Sequence, residues 1–280
     1  MVSLLPILTT ACHDEDPAKT ETVCTLEAAP AVPAPLGGDA NGDGYVDVSD
    51  GAYLARHAMA GGPAPVCLPG VDLVPDGALN LGDVVAVWYS VGSRTAPYRP
   101  EVDAEDCPTV TRTATPPCGD GLAFGVDAPA QVTGPEGGDA AVTASITLTS
   151  PTLPVEAWSF TLTAAGCTLD GGTTAGTDAA DVADGTGGLR VRGVAWQSVL
   201  PAEAQVLTVL DWRNQGVLPT GGARVVHTFT AHGTAVSGCG TCTLTLSAGD
   251  PVSGVESVVS AEGWRYVPAL ASKTVEICPG

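Results

Sequence analysis

The clearest structural signal in this chain is the stretch Val142-Thr-Ala-Ser-Ile-Thr-Leu-Thr149. Aliphatic residues occupy every second position in it, and Thr or Ser occupies the positions between them. Because successive side chains of a strand point to opposite faces, this alternation predicts a β-strand with one buried face. A second strand is predicted for Val155-Glu-Ala-Trp-Ser-Phe-Thr-Leu162, which alternates in the same way after a phase slip near Trp158.

Short alternating runs of this kind continue toward the C-terminus and are separated by Gly, Pro, Asp and Asn. About eight strands at this spacing predict an antiparallel β-sandwich, of jelly-roll type, over residues 121–280. A parallel α/β sheet is excluded, because no helical pattern of about 10 to 15 residues falls between the strands. The other predicted strands span residues 122–126, 189–196, 206–212, 224–230, 241–246 and 264–267.

The composition agrees with a mainly β chain and limits the partners it can have. The 280 residues include 35 Gly and 23 Pro, and 44% of them are hydrophobic, which is too apolar for a disordered chain. Asp and Glu number 31 against 11 Lys and Arg, so the net charge is −20. Nucleic acid is excluded as a natural partner, because phosphate binding depends on Lys and Arg. The acidic balance favours a divalent cation as the counterion.

Changes in composition divide the chain into five segments. A signal-like or lipobox-like segment covers residues 1–12, and a Pro/Ala-rich tether covers residues 13–37. A small α module is predicted for residues 38–92, and a Thr/Pro linker follows at residues 93–120. The β-sandwich of residues 121–280 completes a fold class that is mainly β with a small α module.

The segment 38–92 contains an internal duplication with a spacing of 33 residues. A repeat this regular indicates one structural unit used twice. The matching pairs are Asp39 and Asp72, Asp43 and Asp76, Gly44 and Gly77, Asp47 and Asn80, and Asp50 and Asp83.

Both copies have the pattern of a twelve-residue calcium loop, in which alternate positions supply oxygen atoms and a central Gly allows the bend. We predict calcium as the cofactor, at two sites. The ligands predicted for the first site are Asp39, Asn41, Asp43, the Tyr45 carbonyl, Asp47 and Asp50. Those predicted for the second are Asp72, Asp76, the Ala78 carbonyl, Asn80 and Asp83. Val74 stands where the first copy has Asn41, so we expect the second site to be weaker.

Position 12 of the first loop is Asp50 instead of the usual Glu, and no amphipathic helix precedes Asp39. A tandem of loops that are each followed by a helix, with Tyr53-Leu-Ala-Arg-His57 after the first loop, resembles the dockerin modules of bacterial cellulosomes. Dockerins bind cohesins, and the resemblance implies contacts from loop positions 10 and 11 and from the exposed helix faces. Each of these positions can equally be an ordinary surface residue. The implied partner-binding residues are Val48, Ser49, Arg56, Leu81, Gly82 and Tyr89.

The predicted sandwich resembles a cohesin in residues 134–150, 155–162 and 204–210. The motifs that carry this resemblance are generic β patterns, and the cysteines in the segment are not typical of cohesins. A carbohydrate-binding module and a plain structural sandwich are the alternatives.

The chain has nine cysteines, a number that suits an oxidising compartment. The opening Met1-Val-Ser-Leu-Leu-Pro-Ile-Leu-Thr-Thr-Ala-Cys12 resembles the lipobox of bacterial lipoproteins, which implies lipidation of Cys12. An ordinary signal remnant with one free thiol is the alternative. Cys24 and Cys67 are the pair that we expect to brace the α module. The eight cysteines predicted in disulfides are Cys24, Cys67, Cys107, Cys118, Cys167, Cys239, Cys242 and Cys278.

Residue patterns that would indicate catalysis are weak. The motif Cys239-Gly-Thr-Cys242 has the spacing of a redox pair or half a zinc site, but no second such motif or neighbouring His completes it. The four histidines offer no arrangement for a nucleophile, and no Gly-rich phosphate loop is present. We therefore expect a protein that is not an enzyme.

These observations predict a non-catalytic bacterial assembly protein, secreted or at the cell surface, that contacts the membrane only through a lipid anchor. Its calcium-dependent dockerin-like module is expected to dock on a cohesin-like domain. Docking on the sandwich of the next copy would give a head-to-tail surface filament. Docking within one chain is another possibility. The alternative function is a carbohydrate-binding module, with a polysaccharide as partner, attached to a separate scaffold through its dockerin.

Overall fold

The computed structural model describes residues 37–65, 67–92, 121–180, 195–210, 217–249 and 255–280. The predicted signal-like segment, nearly all of the tether and the linker lie outside these ranges, as do Cys12, Cys24, Cys107 and Cys118. Most of the strand predicted at residues 189–196 lies outside them as well. No helix in the described ranges is both long enough and apolar enough to span a bilayer.

The described residues of the segment 121–280 form two β-sheets, so the prediction of a mainly β chain is confirmed. In the first sheet the strand order is β12-β1-β3-β8-β5. In the second it is β11-β10-β4-β9-β13-β2, with β7 paired to β4 and β6 paired to β7. The strands are β1 Ala123–Asp127, β2 Gln131–Gly134, β3 Asp139–Ser150, β4 Ala157–Ala165, β5 Thr168–Thr173, β6 Ala195–Leu200, β7 Glu203–Val209, β8 Gly221–Thr234, β9 Gly240–Ser247, β10 Val258–Ala261, β11 Trp264–Tyr266, β12 Ala269–Leu270 and β13 Ser272–Pro279.

The sandwich is not antiparallel throughout, which corrects the sequence prediction. Strand β1 pairs with β12 in parallel, and β2 pairs with β13 in parallel, while the other strand pairs are antiparallel. These parallel pairs join segments far apart in sequence, and local periodicity carries no information about such pairing. The sequence patterns also did not predict five strands, namely β2, β5, β10, β12 and β13.

The alternating stretch that indicated the fold, residues 142–149, lies within β3, as predicted. Its aliphatic side chains are completely buried between the two sheets, where they pack with Trp158, Phe160 and Leu162 of β4. Strand β4 is unusual because six consecutive residues, from Ala157 to Leu162, are buried on both faces. The phase slip has its cause at Ala157 and Trp158, because Ala157 packs with the α module on one face while Trp158 packs between the two sheets on the other.

The α module consists of helices α1 (Val48–Ala60), α2 (Leu68–Val71) and α3 (Leu81–Gly92). A capping box starts α1, because the Asp47 side chain accepts from Ser49 N and the Asp50 side chain accepts from Asp47 N. Helices α1 and α3 pack closely, since a Cβ at Gly51 would lie 1.7 Å from Nε1 of Trp88. Each duplicated loop therefore leads into one helix of a packed pair.

Candidate functional site

The first loop, residues 39–50, is held together by hydrogen bonds to its own carboxylates. The Asp39 carboxylate accepts hydrogen bonds from the backbone N–H groups of residues 42, 43 and 44, over 2.7–3.2 Å. Asp50 accepts from Ala40 N at 2.8 Å and from Asp47 N at 2.8 Å. The amide of Asn41 donates to Asp43 Oδ2 at 3.0 Å. These bonds bring several acidic side chains into one small, largely buried loop.

This loop carries negative charge that is poorly compensated. Burial raises the pKa of Asp43 to about 7, and the charges of Asp47 and Asp39 contribute to this rise. Burial also raises the pKa of Asp39 to about 6, against the lowering effect of its backbone hydrogen bonds. The pKa of Asp50 lies well above its usual value for the same reason, with added repulsion from the other loop carboxylates. A cation in the loop would relieve this repulsion.

The donor set of the first loop fits a hard cation. Every side chain at the predicted ligand positions offers an oxygen atom, which is the ligand type that calcium takes. Within the described ranges, no group of three or more His, Cys, Asp or Glu side chains is already arranged around a metal position. The loop carboxylates instead accept backbone N–H bonds, and an ionised carboxylate has further lone pairs with which it can bind an ion. The chemistry of the loop therefore suits calcium.

The second loop, residues 72–83, has the same pattern of hydrogen bonds. Asp72 accepts from Gly77 N at 2.9 Å, as Asp39 does from Gly44 N at 3.0 Å. Asp83 accepts from Asn80 N at 2.9 Å, which matches the Asp50 bond to Asp47 N. The second loop is more exposed, and its Val74 side chain is 44% exposed, whereas Asn41 of the first loop is completely buried. The local structure of the two loops is the same and their surroundings differ.

Helix α1 lies on the outer face of the second sheet and packs against β4, β7, β10 and β11. Ala157, Leu207, Val209 and Val258 form an apolar patch on that face, because the strand register places them side by side. They belong to the same buried apolar cluster as the residues of α1 and α3. At the hairpin between β10 and β11, Gly263 is so close to Tyr53 that a Cβ there would lie 2.9 Å from the Tyr53 ring. The α module and the sandwich thus share one continuous core.

Two arginines connect the α module to the sandwich at the rim of this core. Arg56 Nη1 of α1 lies 3.0 Å from Oε1 of Glu156, whose side chain is only 6% exposed. The other carboxylate oxygen of Glu156 accepts from Gly263 N at 3.2 Å. Arg265 of β11 donates through Nε to Asp47 Oδ2 of the first loop at 2.7 Å. These contacts fix the position of α1 on the sheet.

Arg265 is itself held on three sides. Its Nη2 lies 3.1 Å from Oε2 of Glu256, and its Cζ lies 4.2 Å from the centre of the Tyr45 ring. Burial lowers the pKa of Arg265, but the charges of Asp47 and Glu256 outweigh this effect and the net shift is upward. Arg265 is therefore a permanent positive charge next to the first loop.

The structure places the predicted partner-binding residues in three different settings. Val48 and Ser49 are completely buried, and Ser49 Oγ accepts from Asn41 Nδ2 at 2.9 Å. Arg56 contacts the sandwich. In the second copy, Leu81 is 43% exposed and Tyr89 is 72% exposed. Gly82 lies beside Asn80, whose Oδ1 accepts its N–H at 2.7 Å.

The sequence analysis missed the sandwich residues that meet the α module, Glu156, Glu256 and Arg265. A signal was present for two of them. Glu156 is a charged residue inside an otherwise apolar strand pattern, and Arg265 stands between Trp264 and Tyr266. A charge within an apolar strand indicates a buried partner of opposite sign.

Two disulfides join segments of the sandwich. Cys167 pairs with Cys242, and Cys239 pairs with Cys278. The two cysteines of the Cys239-Gly-Thr-Cys242 motif therefore bind different partners, as structural cysteines do. Cys67 is also disulfide-bonded. Its predicted pairing with Cys24 stays a prediction, because Cys24 lies outside the described residues. Disulfides of this kind fit an extracellular protein.

No protein-family model and no curated protein matches the chain. Among solved structures, the chain is similar to the sixth cohesin of scaffoldin B from Acetivibrio cellulolyticus, solved in complex with a dockerin, with 14% identity and a TM-score of 0.38 over 57% of this chain and 99% of that one. It is similar to a cohesin module of a family 33 glycoside hydrolase from Clostridium perfringens, with 12% identity and a TM-score of 0.38 over 57% and 98%. A non-cellulosomal cohesin from Archaeoglobus fulgidus gives 11% identity and a TM-score of 0.36 over 55% and 91%. Likeness of this degree is no evidence of a shared function.

Proposed function

We propose that this chain is a non-catalytic, extracellular docking protein. Its calcium-binding, dockerin-like module of residues 38–92 docks on the cohesin-like sandwich of residues 121–280 in the same chain. The observation that carries the proposal is the continuous apolar core between α1 and the outer face of β4, β7 and β10.

The sequence of the sandwich supports a covered outer face. An antiparallel sheet that faces water on one side normally alternates apolar residues with polar ones. In β7, by contrast, the six residues from Ala204 to Val209 are all buried. Exposure of Leu207, Val209, Ala157 and Val258 would leave an apolar patch in water, which favours a docked partner.

Calcium is proposed as the ion that prepares the module for docking. In the first loop it would be held by the oxygen atoms of Asp39, Asn41, Asp43, Tyr45, Asp47 and Asp50. In the second it would be held more weakly by those of Asp72, Asp76, Ala78, Asn80 and Asp83. The ion would supply positive charge that neutralises the crowded carboxylates. The loops would then keep α1 and α3 in their packed arrangement.

The test uses the full chain with a specific protease site inserted in the linker, residues 93–120. After cleavage in calcium, we expect the two pieces to elute together in gel filtration, and to separate after addition of a chelator. Glu156→Arg should separate them even in calcium, and Glu156→Arg combined with Arg56→Glu should restore the complex. Pieces that separate in calcium without any substitution would contradict docking. Pieces that stay together in chelator would contradict only the role of calcium.

Docking between copies is the second candidate, and the observation that favours it is the position of the linker. Residues 93–120 connect the two halves of the interface, so the same contacts can form with the sandwich of a neighbouring copy. A head-to-tail exchange of this kind gives open filaments when its rotation does not close. Light scattering distinguishes docking within one chain from docking between copies. Docking within one chain gives the monomer mass at every concentration, and exchange gives a mass that increases with concentration.

A further inference from the structure

Arg265 belongs to the sandwich, yet its guanidinium lies against the first loop of the α module. Its Nε donates to Asp47 Oδ2 at 2.7 Å, and its side chain is only 11% exposed. The ring of Tyr45, in the same loop, packs against the guanidinium, and its centre lies 4.2 Å from Arg265 Cζ. The contact joins residues 218 positions apart in sequence, so it exists only when the module is docked.

Asp47 has two roles in this arrangement. Its Oδ1 accepts from Ser49 N at 2.7 Å and caps helix α1, while its Oδ2 accepts from Arg265. The charge of Arg265 also acts on Asp43. Two carboxylates at predicted ligand positions therefore share their negative charge with a fixed arginine.

The carboxylates of the second loop accept hydrogen bonds from neutral donors. Its Asp72 and Asp83 carboxylates accept from backbone N–H groups, and Asp76 accepts from Ala78 N and from Asn80 Nδ2. These donors are neutral groups of the loop itself. Docking of α1 changes the charge around the first loop through Arg265.

We infer that the charge of Arg265 weakens calcium binding in the first loop of the docked chain, against the stabilisation that calcium gives to the module. The inference rests on the proposed function. The reason is electrostatic, since a divalent cation in the loop and the guanidinium are like charges that compete for Asp47 and Asp43. By thermodynamic linkage, calcium in the first loop weakens the hold of Arg265 on Asp47 to the same degree.

The test measures calcium affinity of the full chain by titration calorimetry. All proteins carry Asp76→Ala, which disables the second loop so that the heat reports the first. Arg265→Gln removes the charge and keeps a hydrogen-bond donor. Lys273→Gln removes one positive charge from β13, two strands away from β4 in the same sheet, and is the matched control.

We expect Arg265→Gln to tighten calcium binding about tenfold, within the usual range for coupled sites. Lys273→Gln should change it by less than about twofold, because β13 lies two strands, about 10 Å, from β4, and charges about a Debye length apart are strongly screened. Equal affinities of the two variants, or weaker binding by Arg265→Gln, would overturn the coupling and leave calcium binding intact. Absence of calcium heat in every protein would overturn the calcium sites and, with them, the coupling.

A second variant covers the case in which Arg265→Gln does not fold. Glu256→Gln removes the carboxylate that lies 3.1 Å from Arg265 Nη2 and leaves more of the arginine charge uncompensated. Calcium affinity should then fall by several-fold, which is the opposite direction to Arg265→Gln. Unchanged or tighter binding in Glu256→Gln would contradict the inference.

Discussion

The two loop–helix units of the α module have the same local structure and opposite environments. Residues at equivalent positions, 33 apart, show this directly. Val48 is completely buried and its counterpart Leu81 is 43% exposed, while Ala52 is 4% exposed and its counterpart Val85 is 46% exposed. Arg56 binds the sandwich, and its counterpart Tyr89 is 72% exposed. The two copies have the same hydrogen bonds in their loops. Their helix residues differ, and these differences determine which copy is covered by the sandwich.

The largest expected difference comes from placing the same charge at equivalent positions in the two helices. Ala52→Asp should lower the free energy of unfolding by about 3 to 5 kcal/mol, because it buries a carboxylate without a partner. Val85→Asp should change it by less than about 0.5 kcal/mol, as is usual at exposed sites. Urea unfolding followed by tryptophan fluorescence measures both. Equal costs would show that the second helix is as well covered as the first.

Low pH is expected to destabilise the sandwich through His227, and this effect is independent of the two loop–helix units. Burial lowers the pKa of His227 to about 4, from 6.5. Neither ring nitrogen has a hydrogen-bond partner among the described residues. The unfolded chain therefore takes up this proton first as the pH falls, and the contribution of His227 to stability falls by about 3 kcal/mol between pH 6.5 and 4. His227→Leu should flatten this dependence in urea unfolding at several pH values, and an unchanged slope would contradict the assignment.

Calcium should stabilise the first unit more than the second. At a free concentration of about 100 times the dissociation constant, one site adds about 2.7 kcal/mol. Asp43→Ala should remove most of the difference between melting curves in calcium and in chelator, and Asp76→Ala should remove less of it. The matched positions of the two residues make each variant the control of the other. A larger loss in Asp76→Ala would reverse the expected order of the sites.

The smallest expected effect concerns the equivalent residues Arg56 and Tyr89. Arg56→Ala leaves the buried Glu156 carboxylate with fewer partners and should cost about 1 to 3 kcal/mol. Tyr89→Ala should cost less than about 0.5 kcal/mol, because the side chain is exposed. A double-mutant cycle with Glu156→Gln tests whether the cost of Arg56→Ala comes from this pair. Additive costs of the two substitutions would show that it does not.

The sequence by itself determined the features that depend on short spacings. The alternation at residues 142–149 predicted β3, since the period of a strand is a local property. The Asp and Gly positions of the two loops predicted a repeated loop that leads into a helix, because the bonds that build each loop span at most ten residues. The apolar character of residues 155–162 predicted β4 but not why its pattern slips.

Only the tertiary structure decided what lies on the outer face of β4. On that face the α module covers Ala157, while the hydroxyls of Ser159 and Thr161 donate to the carbonyls of Glu256 and Val255, so both sides of the strand are buried. The parallel pairing of β13 with β2 and the ion pair between Arg265 and Asp47 likewise join residues far apart in the chain. Such contacts form because collapse brings apolar faces and opposite charges together. Their free energy depends on the whole fold, and no local pattern of residues encodes it.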